Sequence, residues 1–423
     1  MADKWLSSYG QLKEFIALHS NIKITPKLVI ISSDIRSEFY QFFDAVRSEF
    51  IKGYFTVELE KSYALSQHWK SAGESLVEDT QLEDINMEAG VKWFLSDPVD
   101  GLIRELYNPL FDLLKNLIDI EGFKQKAIKI ISKYSERYYK RGYELWAIMS
   151  LIKLLDVTKV YTVMPEDAQT DPTIVEVDSD AGQVEAYVPR VEETKKIIFE
   201  NVENCSFLTP RIIIQSKLLN RFIALRPGFY KAHWKALFLS ENQEWFKIKN
   251  IYKDFGDRDL WPDLAIYVSY DLADLGLVAD YHNIARPDVI IDINEQDDWF
   301  QGNSLASIKR HYDILKPKLG AFIVSRTPIP QSLVGELKSQ PQLHDSTTTQ
   351  STIDTEKLPL EQSISGDDYA YGQEKDSSGQ NTEVILQNTS PVYNINLIGT
   401  EFDANRLKII VDMLSENVHP QRT

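Results

Sequence analysis

Carboxylates crowd one short stretch of this chain. In RPDVIIDINEQDDW, residues 286–299, the acids Asp288, Asp292, Glu295, Asp297 and Asp298 surround the apolar run Val289–Ile293. A strand end loaded with carboxylates can hold a divalent cation, shape a pocket that accepts hydrogen bonds from a ligand, or end in solvent. Asp288 follows Pro287 and opens the strand. Asp292 and Glu295 sit at its carboxyl end, where open α/β sheets place ligands. Asp292 interrupts an apolar run, and a buried carboxylate needs partners. Asp297 and Asp298 read as solvated loop residues. More acids, Asp254, Asp271 and Asp280, fall near the ends of neighbouring apolar runs, where solvated loop carboxylates are the plainer reading. His282 and His311 are candidates for acid–base work, although a lone histidine is more often a surface or core residue. The sequence carries no Walker loop, no HExxH motif and no recognisable Ser/His/Asp pattern.

The elements that must position these acids can be read from periodicity. PKLVIISSD (26–34) predicts a strand and 35–51 a helix, together a β–α unit. Residues 70–90 predict a loop or an exposed helix. From 91 to 156 the apolar spacing is helical throughout. KVYTVM (159–164) predicts a strand, and 173–188 a hairpin around the turn formers Asp178–Gly182. Residues 191–247 read as mixed helix. Short apolar runs then follow closely: IKNIY, LAIYVSYD, LGLVADY and DVIIDI, a helix over 304–316 and the strand GAFIVS (320–325). Strands apolar on both faces suit a buried, largely parallel sheet. Residues 336–390 are poor in large apolar residues and read as a disordered polar linker. A strand and a helix return over 391–423, with Asp403 as N-cap, a small module suited to docking on the body or on a protein partner.

Composition narrows the function classes. The chain has 423 residues, is 43% hydrophobic and carries a net charge of −17. It repels nucleic acid globally, so contact with one needs a local basic patch. The one such stretch is the helix 124–141, where Lys124, Lys126, Lys129, Lys133, Arg137, Lys140 and Arg141 alternate with tyrosines. A solvated helix face is the blander reading of it. The single cysteine, Cys205, excludes an internal disulfide and a cysteine-cluster zinc site. No apolar run is long enough to span a membrane, and the expected location is cytoplasmic.

Two families resemble parts of the 248–326 region. RPDVIIDI, a helix ending in DILKP, and KLGAFIVSR resemble the second half of a class I S-adenosylmethionine methyltransferase. That resemblance implies a Rossmann-like domain, with Asp254, Gly256, Asp271, Asp280 and Tyr281 around the cofactor, and Asp292 and Glu295 on the substrate side. The loop that would cradle the cofactor reads KDFGDRD, with Gly256 as its only glycine. WPDLAIYV with Pro262 and Asp263, followed by IIDIN with Asp292 and Asn294, is similar to the PD-(D/E)xK signature of restriction-endonuclease-like nucleases. That resemblance implies Mg²⁺ between the two acids and DNA as substrate. Asn294 stands where that family has lysine, and Lys309 or Lys316 would have to replace it.

The expectation is therefore an α/β chain: a helix-rich region over 1–156 containing one β–α unit, a strand and hairpin over 157–190, and a Rossmann-like, mostly parallel sheet over 191–335. The leading functional reading is a divergent, catalytically degenerate methyltransferase-like protein. A non-catalytic interaction subunit, with 391–423 as its protein contact, and a degenerate nuclease are the alternatives.

Overall fold

The computed structural model describes residues 4–164, 173–179, 182–188, 190–199, 212–227, 245–247, 262–276, 283–338 and 393–416. In chain order the elements are α1 (Lys4–Leu18), β1 (Ile22–Ile24), β2 (Val29–Ile31), α2 (Arg36–Tyr54), α3 (Thr56–Thr80), β3 (Asp84–Asn86), α4 (Ala89–Ser96), α5 (Pro98–Ile103), α6 (Tyr107–Leu114) and α7 (Ile120–Leu154). Then follow β4 (Val157–Val163), β5 (Thr173–Ser179), β6 (Gly182–Val188), β7 (Val191–Thr194), β8 (Lys196–Ile198), β9 (Ile212–Ser216), β10 (Arg221–Pro227), β11 (Trp245–Lys247), β12 (Leu264–Ser269), β13 (Asn283–Ala285), β14 (Val289–Asn294), α8 (Ser304–Leu315), β15 (Gly320–Ser325), α9 (Gln331–Lys338), β16 (Ile395–Gly399) and α10 (Lys408–Glu416). Among the described residues no helix is long and apolar enough to cross a membrane.

The long helix α7 organises the molecule. Asp119 caps it by accepting from the Gly122 N–H at 2.7 Å. Phe123, Ala127, Ile131, Ser135, Tyr138 and Gly142 then recur every three or four residues and form its buried stripe. At Gly142 a Cβ would stand 2.9 Å from the terminal methyls of both Leu65 and Leu95, so any larger residue at this close crossing with α3 and α4 would have to displace both. From Gly142 to Ile152 every residue is buried, because this half of α7 is enclosed on all sides. One apolar core runs continuously from Trp5 on α1, through α7, to Val289, Ile291 and Ile293 on β14 and Leu414 on α10. A second, smaller core lies on the other face of the sheet, where Ile290 and Ile323 meet Leu305 and Ile308 of α8. Strand alternation explains the split, since odd-numbered residues of β14 face the helical layer and even-numbered ones face α8.

The main sheet is mixed, with eight strands in the order β16-β15-β14-β12-β10-β9-β4-β7. Only β14–β15 and β15–β16 are parallel, and the other neighbours pair antiparallel. The expected mostly parallel sheet is thus confined to a three-strand wing. Apolar burial on both faces is common to every central strand and says nothing of direction, which is why the runs alone suggested a parallel sheet. Parallel pairing of β14 with β15 requires a crossover, and α8 supplies it. Lys316, in the left-handed region (φ 43°), ends that helix. Gly320, the glycine of KLGAFIVSR, has φ 152° and a local reason to be glycine: a Cβ would lie 2.8 Å from Asn394, just before β16.

One further expectation is corrected. Within 191–247, expected as mixed helix, the described residues contain strands β7–β11 and no helix. The strand and helix expected over 26–51 form as β2 and α2, and β2 pairs on β1 as a small hairpin, Ile22 opposite Ile31, outside the main sheet. Of the two readings of 70–90, helix holds over 70–80, which continue α3. The 173–188 hairpin forms with Ser179 opposite Gly182. The residues expected as a linker between 339 and 390 lie outside the described residues.

Candidate functional site

The acids of interest gather where β12 begins and β14 ends. The pairing Leu264↔Ile291, Ala265↔Ile290, Ile266↔Val289 places Asp263, one step earlier, opposite Asp292. The Asp263 Oδ2 accepts from the Ile293 N–H at 2.7 Å, which pins its carboxyl against the end of β14. Above this point runs the buried half of α7. Glu144 is 8% exposed there and pairs with Arg141 Nη1 at 2.8 Å. Lys140, one helical turn earlier, keeps solvent access and faces the same acids.

The electrostatics follow from crowding. Burial, then the charges of Glu144 and Asp292, push the Asp263 carboxyl up to about 8, and the Ile293 N–H and Lys140 offset only part of this. Burial acts to lower the Lys140 ammonium, but Asp263, Glu144, Glu295 and Asp292 outweigh it and the group ends above its ordinary value. Glu295 is raised by burial, against its own backbone N–H and Lys140. With Arg141 on Glu144 and Lys140 among the rest, the cluster still holds more carboxylates than basic side chains of Lys and Arg.

Asp292 points into the α8 face, as alternation along β14 requires. It is 7% exposed, and His311 Nδ1 lies 3.3 Å from its Oδ1. His311 Nε2 is 3.5 Å from the Ser307 Oγ, one turn back on α8. A Ser–His–Asp row therefore exists in space, although no sequence pattern announced it. Asn294, two residues on, accepts from the Ser304 hydroxyl at 3.2 Å.

Glu295 turns to the opposite face and lines a cavity of about 620 Å³ between α3, α7 and the segment after β14. Arg326, just past β15, donates through Nε to the Glu295 carbonyl at 2.9 Å and pairs with Asp297. Lys61 of α3 reaches Asp297 from the other side at 3.3 Å. Tyr139 of α7 borders the same space, and burial pushes its phenol up to about 12.

The acids expected together are therefore separated. Asp292 and Glu295 lie at one strand end but on opposite faces of the sheet. Asp271, expected at the ribose of a cofactor, is an exposed turn residue whose carboxylate accepts from the Ala273 N–H at 2.9 Å. Asp254, Gly256, Asp280, Tyr281 and His282 lie outside the described residues. Asp288 belongs to the other end of β14: its Oδ2 accepts from the Val268 N–H at 2.7 Å, and Lys318 stands 3.4 Å away. Lys309 and Lys316 lie on α8 and at its end, whereas the lysine facing the acids is Lys140. Periodicity treated Lys140 and Glu144 as helix surface. Glu144 did carry a signal, because it interrupts the apolar run GYELWAIMSLI as Asp292 interrupts VIIDI.

Among the described residues no three His, Cys, Asp or Glu side chains are arranged to hold a metal ion. Asp263 and Asp292 are opposed in the β12–β14 register, with one carboxyl turned to the Ile293 N–H and the other to His311. A hard cation such as Mg²⁺ binds one or two carboxylates and keeps several waters. Comparison with protein-family models, curated proteins and solved structures returned no match to this chain.

Proposed function

We propose that this chain is a Mg²⁺-dependent phosphodiesterase acting on nucleic acid, with Asp263 and Asp292 as its metal-binding acids. The carrying observation is their opposition across the β12–β14 pair, beside the crossover β14–α8–β15. That arrangement agrees with the restriction-endonuclease-like resemblance of WPDLAIYV and IIDIN. Lys140 supplies the positive charge that Asn294 lacks.

The carboxylates of Asp263 and Asp292 would hold the cation. Bound there, it supplies a Lewis acid for a phosphoryl oxygen and a water of lowered pKa. Asp263 must release its proton to serve as a ligand, so its raised pKa makes the site work better in mildly alkaline solution. His311 fixes the Asp292 carboxyl from behind. Glu144 and Lys140 set the local charge.

The same helix offers a route for the substrate backbone. Lys129, Lys133 and Lys140 lie on the face of α7 opposite its buried stripe, and Lys129 to Lys140 spans about 16 Å. Lys126 and Arg137, which flank that row, are paired with Asp112 and Glu88. Surface pairs of this kind cost little to exchange for phosphate.

The methyltransferase reading has less support. Its parallel sheet reduces to a three-strand wing, and Asp271 is engaged in a turn away from Asp292. A protein contact through 391–423 also has less support, because Ile410, Val411 and Leu414 of α10 are buried in the main core.

The test is cleavage of supercoiled DNA, single-stranded DNA and RNA with Mg²⁺ or Mn²⁺. Asp263→Asn and Asp292→Asn should each lower the rate by at least about 100-fold, and Lys140→Ala by about tenfold. Activity absent with every substrate and both metals, or undiminished in both aspartate variants, would falsify the proposal.

A further inference from the structure

The cavity beside Glu295 lies between α3, α7 and the segment after β14, away from Asp263 and Asp292. Its volume of about 620 Å³ is far larger than one ion and falls within the range that holds small organic ligands. Its walls come from α3, α7, the segment after β14 and the end of β15. Five of its lining side chains are carboxylates and two are cations, and both cations, Lys61 and Arg326, are taken by Asp297. An anionic ligand would have to break that triad.

Two polar side chains on the walls are more than nine-tenths buried. Glu295 is 8% exposed and Ser135 is 5% exposed. Among the described residues the Ser135 hydroxyl has no hydrogen-bond partner, and the Glu295 carboxylate accepts from its own backbone N–H and forms no ion pair. Polar groups of mostly buried residues are ordinarily satisfied, so Ser135, whose hydroxyl opens onto the cavity without a partner among the described residues, points to a ligand there. Glu58 on α3 and Glu136 on α7 also line the space without an ion-pair partner among the described residues. Tyr139 adds an aromatic wall, which attracts an ammonium group over its ring.

We infer that this cavity binds a small organic polycation of diamine or triamine size, one ammonium on Glu295 and Ser135 and another on Glu58 or Glu136. Carboxylates spread over three elements match a chain of separated ammonium groups better than a single metal ion. The inference stands apart from the phosphodiesterase proposal, because none of its residues is Asp263 or Asp292.

The experiment is calorimetry and thermal shift on the full chain, with putrescine and spermidine at fixed ionic strength and Mg²⁺ alone as comparator. The expected result is saturable binding of one polyamine per chain. Glu295→Gln should weaken it at least tenfold and Ser135→Ala severalfold. Glu193→Gln, which removes the same charge from exposed β7, should leave it unchanged, and so should Asp263→Asn. Ser132→Trp, at the cavity wall, should block binding while preserving the circular-dichroism spectrum, which keeps the test available if Glu295→Gln does not fold. Absence of saturable binding, equal affinity of the Glu295→Gln and Glu193→Gln variants, or displacement of spermidine by Mg²⁺ at equal charge concentration would overturn the inference.

Discussion

The two ends of β14 carry the same residue type in opposite circumstances. At the amino end Asp288 has a donor for its charge: Val268 N–H at 2.7 Å and Lys318 at 3.4 Å. Its own backbone is also tied in, with its N–H on Ile266 and its carbonyl taking the Leu319 N–H. Burial raises the Asp288 carboxyl, and Lys318 and the Val268 N–H work against that. At the carboxyl end Asp263, Asp292 and Glu295 share one lysine and one histidine, and Glu144 has Arg141. The difference is the number of donors per carboxylate. Where donors match acids, the acids close the junction of β12, β14 and β15. Where acids exceed donors, the fold leaves charge to be neutralised from outside, by a proton, a metal ion or an organic cation.

The largest stability effect is expected at the matched end. Asp288→Ala leaves the Val268 N–H without its acceptor and Lys318 without its partner at a buried junction. The cost should be about 2–3 kcal/mol, read as a fall in the urea midpoint at unchanged slope. A loss below about 0.5 kcal/mol would mean that the amino end is not the structural lock its contacts describe.

The contrast was partly legible in the sequence. Asp292 stood out because it breaks an apolar run, and β14, α8 and β15 lie where periodicity put them. Strand direction was not legible, since β10, β12 and β14 are buried on both faces whether the neighbour is parallel or antiparallel. The separation of Asp292 from Glu295 was implicit in their odd spacing along a strand, which a reading by proximity overlooks. Lys140 and Glu144 could not be joined to the site from sequence. They lie more than a hundred residues from Asp263, and only the packing of α7 over the β12 and β14 ends brings them together. Lys140 lies in the pattern of an ordinary amphipathic helix, and the break that Glu144 makes in GYELWAIMSLI names no partner.

The unmatched end should show itself as a pH dependence of opposite sign to that of an ordinary paired carboxylate. The folded Asp263 carboxyl titrates near 8, whereas an unfolded one titrates near about 3.9. Between those values the folded state keeps a proton that the unfolded state releases. Stability is therefore full at the acid side of the window and falls as pH rises through it. Asp263→Asn cannot ionise, so it should gain on the wild type by about 2 kcal/mol at pH 8 and by little at pH 5. That figure is well below the full shift, because the residue keeps some solvent-facing surface. Glu295→Gln should act in the same direction and less strongly, since Lys140 offsets part of the burial and the cavity admits water. Denaturation midpoints at the two pH values measure both variants. Added Mg²⁺ at pH 8 should restore the wild type and leave Asp263→Asn unmoved, because only the ionised acid gains a ligand. Equal stabilisation of both proteins by Mg²⁺ would place the cation elsewhere and remove the distinction between the two ends of β14.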